Sequence, residues 1–187
     1  LIVTKTENAF ESAFNDEGFL VTYFYHEVEE YIKTNQFSKD KKPYVKPVRF
    51  KRYDLPLFLE GYVHALKAQE TKQKARDLYN QLRETPIYDR KLKMYKVNAD
   101  LSNMTEEIGR TRIFPRGWLE NESIWLHMEY KYILELLKTG LYEDFYTEFK
   151  NVLIPFQKPE TYGRSILENS SFIVSSAFPD KKLHGRG

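Results

Sequence analysis

The sequence predicts a mainly α-helical fold with short irregular or strand-like stretches. Three observations lead there. From Ser123 to Leu137 no Gly or Pro interrupts a run rich in Ile, Leu, Met, Trp and Tyr, and Gly140 follows as a left-handed stop. Leu141 to Leu153 then places Tyr142, Phe145, Tyr146, Phe149, Val152 and Leu153 at helical spacing, which with the preceding run makes an antiparallel helical hairpin joined at Lys138-Thr139-Gly140. Asp54 to Glu84 reads as two further helices, the first with Leu55, Phe58, Leu59, Tyr62, Val63 and Leu66 on its apolar face, the second with Ala75, Leu78, Tyr79 and Leu82.

In chain order, residues 1–18 show no clear period, and Asn15-Asp16-Glu17-Gly18 is a turn. Leu20 to Tyr25 has strand propensity, while the spacing of Leu20, Phe24, Val28 and Tyr31 is helical; Glu27 to Thr34 is taken as helix. Residues 33–52 hold eight Lys/Arg against the single acid Asp40, and with Pro43 and Pro47 they predict a basic extended connection over 37–53. Alternation of Tyr44, Val45, Pro47, Val48 and Phe50 is also compatible with a short edge strand. Pro86 to Arg112 is the least regular stretch, a length of loop that is uncommon in a domain unless it has a function. Pro155 and Pro159 end the helical hairpin, and Ile166 to Ala177 is read as a short helix before a basic tail.

The central stretch opens on the turn Phe114-Pro115-Arg116-Gly117 and offers Asn121 or Ser123 as N-cap, with Glu120 and Glu122 at the positive end of the helix dipole. Ser123, His127 and Lys131 then follow at i, i+4 and i+8 along one line. Such a line is either a strip facing solvent or a polar wall of a cleft. Glu120 and Glu122 act as a pair only if the chain between them is extended, because two residues apart on a helix they diverge.

The 187 residues suffice for one domain with its own core. A net charge of +2 gives no general attraction to nucleic acid or membrane, and no long uncharged apolar run is present. With no cysteine, disulfides and thiolate metal sites are excluded, in keeping with a reducing cytoplasm. Neither a Gly-rich phosphate loop nor a zinc-protease helix is present: His26-Glu27-Val28-Glu29-Glu30 lacks a second histidine. No metal and no organic cofactor are expected.

Gly117-Trp118-Leu119-Glu120-Asn121-Glu122-Ser123-Ile124-Trp125-Leu126-His127, the helical hairpin after it and Tyr162-Gly163-Arg164-Ser165-Ile166-Leu167-Glu168-Asn169 resemble glycoside hydrolase family 94, in particular its large cellobiose-phosphorylase-like bacterial members. The resemblance covers Pro86 to Gly187 and is most specific from Phe114 to Tyr132. It implies part of an (α/α)6 barrel, with residues 1–187 a fragment of a longer catalytic domain. It further implies inverting phosphorolysis of a β-glucoside, inorganic phosphate being the co-substrate and an aspartic acid the proton donor. By match, His127 and Arg164 would hold phosphate. Trp118, Glu120, Glu122 and Lys131 would line the sugar site, with core packing as the other reading of Trp118 and Trp125. The family's general acid falls outside this chain, so the chain alone is expected to be inactive. A hydrolase of the same fold and a non-catalytic carbohydrate-binding domain are the alternatives, and a homodimer is compatible with unpartnered helix faces.

Overall fold

A computed structural model describes residues 1–158, 160 and 172–187. These divide into two compact units, one formed by Leu1–Thr22 with Pro56–Gly187, the other by Tyr23–Leu55.

The smaller unit is a β-hairpin. Strand β1 (Phe24–Phe37) pairs antiparallel with β2 (Pro43–Asp54), from Phe24 opposite Asp54 to Phe37 opposite Pro43. The helix expected over Glu27–Thr34 is therefore absent, and the basic connection over 37–53 is mostly strand. Helical spacing of a few apolar residues lost to the β-branched and aromatic content of Val28, Tyr31 and Ile32, which face Phe50, Pro47 and Lys46 across the hairpin. Tyr25 stacks on Tyr53 at 5.2 Å, Arg52 lies over Phe24, and Lys51 over Tyr53. Bulges near Glu30 and beyond Lys33 interrupt the register.

The larger unit begins with α1 (Ile2–Glu11), where the sequence showed no period; none of its residues is buried. Helices α2 (Leu59–Lys67) and α3 (Lys72–Glu84) match the expected pair, although Asp54 ends a strand and Phe58 is the N-cap of α2. Thr71 caps α3 by accepting from Lys74 N–H. The irregular stretch contains a two-residue ladder, β3 (Tyr88–Asp89) against β4 (Met94–Tyr95), then within Glu106–Arg112 two 3-10 turns that meet at a kink at Gly109, φ +81°. Strand β5 (Ile124–Trp125) leads directly into α4 (Leu126–Lys138), which pairs with α5 (Tyr142–Val152) as the expected hairpin. Its joint is a full Schellman motif: Gly140 stands at φ +79°, its N–H donates to Leu137 O, and Leu141 N–H donates to Leu136 O at 3.0 Å. Strand β6 (Phe172–Ile173) pairs with β5, so the short helix expected over 166–177 is replaced by a strand and turn in its described part.

A mainly α-helical barrel segment is thus not what this chain forms. Among the described residues three two-stranded antiparallel sheets accompany the helices, and the element with the most residues is the strand β1. The reason lies in pairings distant in sequence, above all Ile124 opposite Ile173, which draw apolar runs out of helix.

The main core joins Leu59, Tyr62 and Leu66 of α2, Ala75, Tyr79 and Leu82 of α3, and Tyr132, Ile133 and Leu136 of α4. A smaller cluster, Leu92, Met94, Ile124, Leu126, Val152 and Ile173, draws on both short sheets. Among the described residues no helix is long and apolar enough to cross a membrane.

Candidate functional site

The loop between the Pro-Arg-Gly turn and α4 is folded by its own side chains. Asn121 is fully buried; its Oδ1 accepts from Leu101 N–H, and its Nδ2 donates to Phe114 O and Ser102 Oγ. Asn98 Oδ1 accepts from Glu122 N–H at 2.7 Å, and Asn98 Nδ2 donates to Glu120 O. Leu119 and Glu122 both adopt left-handed backbone, at φ +47° and +59°. Non-glycine residues rarely do so unless their surroundings over-determine them, and two such residues keep helix from starting here. Neither Asn121 nor Ser123 caps α4. Ser123 Oγ instead donates back to Leu119 O, and Trp125 is the N-cap residue.

Glu122 is buried to 1% exposure between two cations: Lys96 Nζ lies 2.6 Å from one oxygen, and Arg116 Nε contacts the other. Arg116 Nε also lies 3.3 Å from Asp100. Burial disfavours the charged form of Asp100, but Ser102 and Arg116 outweigh it and lower its pKa. Glu120 is half-buried and meets Arg110 at 2.8 Å. The chain from 119 to 123 is indeed not helical, yet Glu120 and Glu122 engage separate cations rather than each other.

Beside this charged loop runs a row of rings. Phe178, Trp118, Phe172, Trp125 and His127 follow one another with centroid separations of 5.6, 5.1, 5.9 and 5.7 Å. The first four are half-buried and His127 is exposed at the end. Trp125 Nε1–H donates to Leu119 O at 3.1 Å, which ties the row to the loop. Gly117, at φ +79°, lies against Phe178: a Cβ there would sit 2.4 Å from Phe178 N. This close backbone approach lets the Phe178 ring pack, tilted, against Trp118.

The six residues expected from sequence divide accordingly. Trp118, Glu120 and Glu122 come together in the loop, and His127 joins them through Trp125. Lys131 is exposed one turn further along α4, so His127 and Lys131 form a solvent-facing strip that the buried, non-helical Ser123 does not continue. Arg164, with the rest of the Tyr162–Asn169 segment, lies outside the described residues. Lys96, Asp100, Arg116, Phe172 and Phe178 were not foreseen. For Lys96 and Asp100 the local signal was the functional look of the long irregular stretch, and Arg116 sits in the turn after it; the two phenylalanines arrive from far along the chain.

A second buried polar system lies deeper. Glu148 Oε1 accepts from Tyr79 OH and Tyr95 OH, each at 2.9 Å, and from Arg83 at 2.8 Å, with Glu148 fully buried. Glu129, also fully buried, accepts the Tyr95 N–H on one oxygen; its other oxygen has no partner among the described residues. Burial pushes the Glu129 carboxyl well above its ordinary range, opposed by the Tyr95 N–H and reinforced by the charges of Glu148 and Asp89. Because its folded pKa is raised, folding takes up a proton, and the stability so gained is present below about pH 4.5 and lost as pH rises toward the folded value. Glu129→Gln keeps an acceptor for Tyr95 N–H and removes the titration. Urea titrations should show the variant gaining on the native chain as pH rises from about 5 to 8, by up to ~1.4 kcal/mol per pH unit until the folded pKa is passed. A constant difference across that window would show that Glu129 does not titrate there.

Among the described residues no group of three or more His, Asp and Glu side chains is arranged to hold a metal ion. No protein-family model matches the chain, and no curated protein matches it.

Proposed function

We propose that the chain binds carbohydrate along the row from Phe178 to His127, as the sugar-recognising part of a glycoside phosphorylase-like enzyme. The observation that carries this reading is the row itself. Half-exposed indole and phenyl faces offer apolar surface to the CH faces of a pyranose, and the charged groups of Glu120, Arg110 and Arg116 stand in the adjoining loop for hydroxyls. The choice of a β-glucoside rests on the resemblance of Phe114 to Tyr132, and so does phosphorolysis. In that reaction His127, exposed at the end of the row, is the group of this chain that bears on phosphate, with Arg164 assigned by the same match.

One observation favours binding over chemistry within this chain. Glu122 is held by two cations and Glu129 is wholly enclosed, so neither carboxyl is free to protonate a leaving oxygen at the row. In this reading the proton donor is a group other than Glu122 and Glu129.

Tryptophan fluorescence during titration with cellobiose tests the reading. Saturable quenching is expected, with Trp118→Ala weakening the affinity about tenfold, in line with the loss of one stacking face and its buried area. A chain that keeps its fold and shows no saturable response to cellobiose or other β-glucosides would overturn it.

A further inference from the structure

On another part of the larger unit, basic side chains converge on a cavity of about 300 Å³. Lys91, Lys181, Lys182, His184 and Arg186 line it together with Leu92, and Glu160 is the one acid among the described lining residues. The surrounding backbone is tightly fastened. Asp89 accepts from Lys91 N–H and Leu92 N–H, which shapes the β3–β4 turn, and from Ser176 N–H and Oγ–H, which bolts that turn to the C-terminal segment. Asp180 caps the 3-10 turn Lys181–Leu183 by accepting from Lys182 N–H. Val174 and Arg186 are joined by Val174 N–H to Arg186 O at 2.7 Å, and Gly185 N–H donates to Val174 O.

His184 is the keystone of the arrangement and is only 8% exposed. Its Nε2 meets Phe178 O at 2.7 Å, and its Nδ1 meets Lys91 Nζ at 2.7 Å. A carbonyl only accepts and an ammonium only donates, so the imidazole is the neutral Nε2–H tautomer and receives the lysine proton on Nδ1. Lys91 is thereby fixed at the cavity. Lys181, Lys182 and Arg186 have no ion-pair partner among the described residues, and the carboxylates of Asp89 and Asp180 are turned to backbone N–H groups. Four permanent cations against the single carboxylate of Glu160 leave a net positive charge around the hollow, which favours an anion between them.

We propose that this cavity binds the phosphate group of a small phosphate monoester. The doubly charged phosphate suits several cations, with Arg186 able to present a fork and Lys91 a fixed point charge. A hollow of this volume has room beyond the phosphate for an organic moiety. None of these residues belongs to the aromatic row or its charged loop, so the site stands whether or not the row binds sugar.

The test is calorimetric titration of the full chain with glycerol 3-phosphate, inorganic phosphate and sulfate at matched ionic strength. Glycerol 3-phosphate should bind at least fivefold tighter than inorganic phosphate, and the exposed double variant K181A/R186A should weaken it tenfold or more. Lys91→Met, which keeps the stem and loses the ammonium, should weaken it as well, and the His184 ring resonances of the native chain should shift on binding. Equal affinity for inorganic phosphate would overturn the monoester assignment. Binding matched by sulfate, unchanged in K181A/R186A, or absent altogether would show an adventitious ion only and overturn the site. Cellobiose quenching of tryptophan should be the same in native chain and double variant, which separates this outcome from failure of the sugar reading.

Discussion

Glu148→Ala should lower the stability of the chain by about 3–5 kcal/mol, the range seen when one partner of a buried charge cluster is removed. One oxygen of this fully buried carboxylate receives Tyr79, Tyr95 and Arg83. Truncation leaves the Tyr79 and Tyr95 hydroxyls without that acceptor, at about 1–3 kcal/mol for each group that finds no substitute. Arg83 is about a third exposed and recovers part of its hydration, which holds the loss toward the lower end. Because α3, β4 and α5 all meet at this carboxylate, the damage is spread over the main core. Glu148→Gln keeps an acceptor of the same shape and should cost clearly less. Urea unfolding of both variants gives the comparison, and a loss under about 1 kcal/mol for Glu148→Ala would mean that the tyrosines are satisfied without it.

Gly117→Ala should damage the candidate site more than any surface change near it. Two effects add. The residue stands at φ +79°, where a side chain costs about 1–2 kcal/mol, and the new methyl would lie 2.4 Å from a backbone nitrogen, Phe178 N. Backbone cannot rotate away as a side-chain tip can, so the turn and the Ser175–Phe178 segment must separate. Ser175 N–H donates to Gly117 O, and that bond should be lost with the Trp118–Phe178 contact. The expected result is a loss of about 2–4 kcal/mol together with loss of cellobiose quenching. Retention of both native stability and quenching would show that the close approach is dispensable.

The parts that were legible in the sequence are those set by neighbours a few residues away. The α4–α5 hairpin with its Gly140 stop, the two helices before Glu84 and the Phe114–Gly117 turn follow from apolar spacing and glycine or proline chemistry. The strand β1 was not, since Leu20, Phe24, Val28 and Tyr31 also fit a helix and only the partner strand decides between them. For the same reason Ser123 looked like a helix cap: its real partner, Leu119 O, depends on two left-handed residues that no propensity foretells. Trp118 and Glu122 stood out at once, whereas Phe172, Phe178 and Lys96 became part of the site only through tertiary contact.

The bolt from Asp89 to Ser176 spans 87 positions of sequence. Closing so long a loop is slow to reward, since its entropy must be lost before the contacts form. The α4–α5 hairpin closes over a handful of residues and has no such delay. A chain made from its N-terminus therefore holds Trp118 and the β3–β4 turn before Phe172, Phe178 and His184 have emerged. Both the aromatic row and the basic cavity are completed by residues 172–186, which are made after the rest of each site. Either ligand would then find its site only on chains that have finished folding, and its presence would select for them.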